Sequence, residues 1–117
     1  GGAPTNVAAA IAALGGKAEL AAKVGIDPFG KHLIEVMQSF GVSTKWVIQD
    51  ANFFTTFAFV SLMENGERDF YFNRGADGQL TETEIEQIDL SEFSINSRII
   101  FIEQCIFSIH ECKIIFS

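Results

Sequence analysis

The chain has 117 residues, which bounds it to one domain with a single hydrophobic core. Its formal net charge of −7 leaves no basic patch to displace counterions and argues against non-specific nucleic-acid binding. There is no secretory signal and no apolar run long enough to cross a bilayer. Two cysteines, Cys105 and Cys112, match no zinc or redox spacing, and a chain with so few is expected to be reduced and cytoplasmic.

In chain order, Gly1-Gly2-Ala3-Pro4-Thr5-Asn6 reads as a turn that opens in mid-loop, so a truncated sequence is expected. Ala8 to Leu14 is predicted to be a buried helix, because alanines dominate and Gly15-Gly16 stops it. Pro4 suits the entry, and Thr5 or Asn6 can cap it. Ala18 to Val24 reads as a short buried strand. Asp27-Pro28 is an N-cap followed by a proline at the first helical position. His32, Leu33, Val36, Met37 and Phe40 recur at helical spacing until Gly41. Trp46 to Ile48 predicts a second strand, and strand–helix alternation of this kind implies an α/β layered fold.

The texture then changes. Thr55 to Met63 and Arg68 to Asn73 flank Glu64-Asn65-Gly66, which predicts a β-hairpin. Phe70 and Phe72 fall on one face and Asp69, Tyr71 and Asn73 on the other, so one apolar face is expected. A hairpin alone is unstable, so that face must cover the core, a ligand or another subunit. Thr81…Glu84 matches a capping box at the head of an acidic helix running to Ile88. Arg98 to Ile102 reads as a buried strand, and the apolar tail beyond it has no clear period.

Other chemistries fit poorly. Gly15-Gly16-Lys17-Ala18 lacks the upstream glycine and the Ser/Thr of a P-loop, and no Gly-x-Gly-x-x-Gly follows a strand. His32 lies on an apolar helix and reads as a partly buried or edge residue. His110 with Cys105 and Cys112 has the wrong spacing and too few ligands for zinc.

Three phrases occur in order: Gly1-Gly2-x-x-x-Asn6-x-Ala8, Leu14-Gly15-Gly16, and Val24-Gly25-x-Asp27-x-Phe29-Gly30. With Thr56-Phe57-Ala58-Phe59-Val60 and Asn65-Gly66-Glu67-Arg68 leading to Arg74-Gly75-Ala76-Asp77, they resemble the ribokinase-like (PfkB) carbohydrate kinases and their fructokinase branch, over roughly residues 1–102. The resemblance implies a partial ribokinase-like layered α/β sheet with a β-hairpin lid. It implies one partial domain over 1–117, with an α/β body at 1–50 and 78–102, a lid at 51–77 and a divergent tail at 103–117.

It also implies site residues. Gly1 and Gly2 correspond to the family's hinge glycines beside the sugar, and Asn6 to the Asn that hydrogen-bonds its hydroxyls. An amide offers both donor and acceptor to a polyol, though Asn6 can equally cap the first helix. Arg74 either reaches the substrate with its planar fork of donors or pairs with Asp77 or a glutamate. Phe72, with Phe57, Phe59 and Phe70, either lines a sugar pocket or packs the lid. For Gly25, Asp27 and Gly30 the structural reading is preferred, Asp27 as N-cap and the glycines as turn formers.

The activity implied is transfer of a phosphoryl group from ATP, with Mg²⁺, to a sugar hydroxyl, fructose first. The family's Asp-Thr-x-Gly-Ala-Gly-Asp-like motif is not found here, so no catalytic, ATP-binding or metal residue is assigned. The chain is expected to be inactive alone. The alternative is a non-catalytic remnant that binds sugar or forms a homodimer through the lid hairpin.

Overall fold

The computed structural model describes residues 2–89, 91 and, as backbone, 101–102. Gly1, the tail 103–117 with its cysteines and His110, and residues 98–100 of the expected last strand lie outside the described residues.

Helix α1 spans Ala3–Ala13, starting five residues before the expected Ala8. Gly2 is its N-cap, at φ 116°, a conformation that a side chain disfavours. Pro4 lies in the first turn with its φ already helical. Neither Thr5 nor Asn6 caps, because both are already inside the helix: the Asn6 N–H donates to the Gly2 carbonyl at 3.1 Å. The helix is also less buried than its composition predicts. Ala8 is fully covered, while Asn6, Val7 and Ala10 on other sides are exposed.

Strand β1, Glu19–Gly25, follows. Helix α2, Pro28–Ser39, starts at the N-cap Asp27 as expected, and its face carries the buried Met37. His32 is exposed on that helix, not partly buried. Strand β2, Ser43–Asp50, runs parallel to β1. The hairpin is β3, Phe57–Leu62, paired antiparallel with β4, Arg68–Asn73, and Gly66 sits in its loop at φ 82°. A 3-10 turn, Ala76–Gln79, leads into α3, Glu82–Glu86, whose Thr81/Glu84 capping box is present. Strand β5, Phe101–Ile102, pairs parallel with β1.

The result is a partial α/β arrangement with two small sheets, one parallel in the order β2-β1-β5 and one the hairpin. Alternation along β1 sets the layers. Leu20 and Ala22 face α1 and α2 in a core with Ala8, Met37 and Val42. On the other face, Lys23 reaches the Gln79 carbonyl and the Glu84 carboxylate.

The hairpin departs from expectation in one respect. Opposite residues in the register share a face, so Ala58, Val60, Phe70 and Phe72 form one side. Phe57, Phe59 and Tyr71 share the other with Ser61, Asp69 and Asn73, so that face is mixed and carries three aromatic rings beside the expected polar groups. The four phenylalanines named from the sequence thus divide between two opposed faces.

Candidate functional site

A cavity of about 470 Å³ opens beneath the first of those hairpin faces. Ala58, Phe70 and Phe72 form its lid side, and Gly2, Ala22 and Lys23 its floor. Thr55, Thr56 and Asp77 line the joint between them. The floor takes Ala22 and Lys23 from the middle and carboxyl half of β1, a strand flanked on both sides by parallel neighbours. Crevices toward the carboxyl ends of such strands are where open α/β sheets bind ligands. Mostly apolar walls with a few convergent polar groups are the usual make-up of a small-molecule site.

The polar groups are held by specific bonds. Lys23 is buried in the carboxyl half of β1. Its ammonium lies 2.7 Å from Glu84, 3.7 Å from Asp50 and 3.0 Å from the Gln79 carbonyl. That ammonium is the main reason the Glu84 carboxyl is held below its ordinary value, with the Thr81 N–H adding to it against desolvation. Asp77 accepts from the Thr56 hydroxyl and from the Gly78 N–H, and pairs with Arg74 at 3.4 Å. The Arg74 guanidinium also lies over the Phe72 ring, 5.7 Å from its centroid.

The block Gly25-Ile26-Asp27-Pro28-Phe29-Gly30 forms the joint. Asp27 Oδ1 accepts from the Gly30 N–H and the Thr55 hydroxyl, and Oδ2 from the Thr55 N–H, each at 2.8 Å. Desolvation pushes the Asp27 carboxyl up, but bonds from Gly30, Thr55 and Phe29 outweigh it and hold the group below its ordinary value. The glycines here are not turn formers. Gly25 ends a strand and Gly30 lies inside α2. Both are small because the chain passes close by: a Cβ on Gly25 would stand 2.6 Å from the Phe53 carbonyl oxygen and 2.7 Å from the Thr55 nitrogen.

Of the residues expected from the sequence, Gly2 and Phe72 meet in the cavity. Arg74 does not line it and is turned onto Phe72 and Asp77, which do. Asn6 is exposed and lines a separate apolar groove of about 180 Å³ between α1 and α2, with Leu33, Met37 and Phe40. Phe57 and Phe59 face away, Phe57 packed edge-on against Phe29 at 4.8 Å between centroids. Lys23 and Thr55 were not singled out in the sequence. The available signals were a lysine inside an otherwise apolar strand and a Thr-Thr pair at the root of a hairpin. Among the described residues there is no group of three or more His, Cys, Asp or Glu suited to a metal ion. No helix among them is long and apolar enough to cross a membrane.

The model of the pfkB family carbohydrate kinases matches residues 1–108. The chain belongs to this family. A probable fructokinase-5 from Arabidopsis thaliana is 45% identical over 89 residues, covering 74% of this chain and 28% of that protein. Fructokinase-2 from Solanum lycopersicum is 39% identical over 111 residues, 90% of this chain and 34% of that one. Among solved structures, fructokinase from Xylella fastidiosa superposes with a TM-score of 0.67 at 38% identity, covering 72% of this chain and 26% of that chain. A second structure of the X. fastidiosa enzyme, with bound ATP, gives a TM-score of 0.65 at 38% identity, with coverage of 72% and 27%. The chain spans about a quarter to a third of the length of these pfkB relatives.

Proposed function

We propose that this chain is the sugar-side and lid portion of an ATP-dependent cytoplasmic sugar kinase, with fructose as the first candidate substrate. The observation that supports the reading is the cavity between the Phe70/Phe72 face of the hairpin and the carboxyl half of β1. In it the two rings would cover the apolar face of a sugar, and their placement would exclude water from the bound hydroxyls. Gly2 lets the ligand approach the backbone at the cavity floor. Arg74 would supply hydrogen bonds after exchanging Asp77 for a sugar oxygen, whereas Asn6 lies in the separate groove and is given no contact in this cavity. Gly1 is assigned the same role as Gly2 by position in the motif.

ATP with Mg²⁺ would supply the phosphoryl group when bound. The described residues offer neither a glycine-rich phosphate cradle nor an acidic cluster for the ion, so they do not fit that group. The chain by itself is therefore expected to bind sugar without phosphorylating it.

The test has two parts. Saturation-transfer NMR on the 117-residue chain is expected to give transfer to fructose; no transfer to fructose, glucose or ribose would remove the sugar reading. ATP consumption with fructose present is expected to stay at the no-protein level, and turnover above it would overturn the assignment of an inactive portion.

One observation favours a second reading, a remnant that pairs with a copy of itself through the lid. The outer hairpin face exposes Phe59 and Tyr71 side by side, with 58% and 70% of their surfaces open. Sedimentation of wild type against Tyr71→Asp would decide it: a dimer lost in the variant supports pairing, and a monomeric wild type excludes it.

A further inference from the structure

Among the described residues, the two strands of the hairpin bond to each other and not to the parallel sheet. Six residues of strand put its tip about 20 Å from its root, so about 10° of play there would move the tip by about 3 Å. Phe70 and Phe72 can wall the cavity only if the root is fixed.

Two neighbouring threonines meet at that root and bond in different directions. Thr56 ties the hairpin to its own exit: its hydroxyl accepts from the Gly75 N–H at 2.8 Å and donates to Asp77. Close by, the Ala76 N–H donates to the Phe54 carbonyl at 2.8 Å. Thr55 ties the hairpin to the body instead. It is 3% exposed, and its hydroxyl accepts from the Gly25 N–H at 3.1 Å while donating to Asp27. The end of β1, the start of α2 and the root of the hairpin thus share one hydroxyl and one carboxylate.

We propose that Asp27 and Thr55 are positioning residues that set the tilt of the hairpin over the cavity, beyond the part Asp27 plays as the N-cap of α2. The proposal is independent of the sugar reading, because its readout needs no ligand.

Asp27→Asn separates the two roles. The Asn oxygen can still cap Gly30, since Asn is as good an N-cap as Asp. Its NH₂ group would face the Thr55 N–H, donor against donor, where Oδ2 now accepts. Thr55→Val keeps the shape and removes the hydroxyl, and Thr55→Ser restores it.

The experiment is a set of backbone residual dipolar couplings on the 117-residue chain. In wild type and Thr55→Ser, hairpin and body amides are expected to fit one alignment tensor. In Asp27→Asn and Thr55→Val the hairpin is expected to need its own tensor of reduced amplitude, with the α2 couplings unchanged. A single tensor retained in both of those variants overturns the proposal, as does a wild type in which the hairpin already moves independently. A Thr55→Ser chain that behaves like Thr55→Val would show that the hydroxyl is not the agent, with the same result.

Discussion

The ammonium of Lys23 and the carboxylate of Glu84 meet at 2.7 Å, joining the carboxyl half of β1 to the first turn of α3. The Lys23 side chain is 6% exposed and that of Glu84 26%, so the lysine depends on its partners far more than the glutamate does. Removing Glu84 leaves Lys23 with Asp50 at 3.7 Å and the Gln79 carbonyl. Replacing Lys23 by Met removes the buried charge and keeps its stem. We expect Glu84→Ala to cost about 1–3 kcal/mol and Lys23→Met less, read from urea midpoints, because a buried charge stripped of its nearest partner costs more than a charge that is replaced. The reverse order would count against this view of the Lys23 cluster.

Acid should weaken the fold through two carboxylates. Asp27 and Glu84 are both held below their ordinary values in the folded chain. A group with a lowered folded pKa contributes stability above its unfolded value, near pH 4, and gives it up as pH falls through the lowered one. Thermal midpoints should therefore be level above about pH 5 and decline below about pH 4. In a Lys23→Met, Asp27→Asn double variant that decline should be shallower, and an equal decline would exclude these two groups as its source.

Glycine substitutions should separate close packing from open space. Gly25→Ala would drive a methyl against the Phe53 carbonyl and the Thr55 nitrogen, and is expected to cost about 1–3 kcal/mol or more. Gly78 has nothing within 4 Å of where a Cβ would stand, so Gly78→Ala should stay within about 0.5 kcal/mol of wild type. Chemical denaturation of the two variants side by side checks both.

The two hairpin faces should differ in ligand binding. Phe72 walls the cavity and Phe59 faces away from it. Phe72→Ala is expected to weaken fructose binding about tenfold, the loss of roughly one aromatic stacking contact, while Phe59→Ala leaves it unchanged. Titration followed by NMR line shifts reads both, and equal effects would place the sugar elsewhere.

Local signals accounted for the elements with their own punctuation. Asp27-Pro28 opened α2 and the Thr81/Glu84 box opened α3, because a cap is a contact between residues three apart and is written in the chain. The hairpin was legible from alternation and turn residues, and the layered α/β class from the succession of strands and helices. The start of α1 was not, because Ala3-Pro4-Thr5-Asn6 looked like a capping loop although proline and Gly2 already favoured the first helical turn there.

The sequence by itself determined the family, the layered α/β class and the presence of a β-hairpin, since these follow from ordered motifs and from residue periods of two and 3.6. The tertiary structure decided which aromatics face the cavity, that Arg74 is turned onto Asp77, and that Lys23 and Thr55 line the cavity. Those outcomes depend on register and on bonds across separations such as the 28 residues between Asp27 and Thr55. No local pattern encodes which distant donor a buried carboxylate will meet; that is fixed only when the layers close and every buried polar group must find a partner.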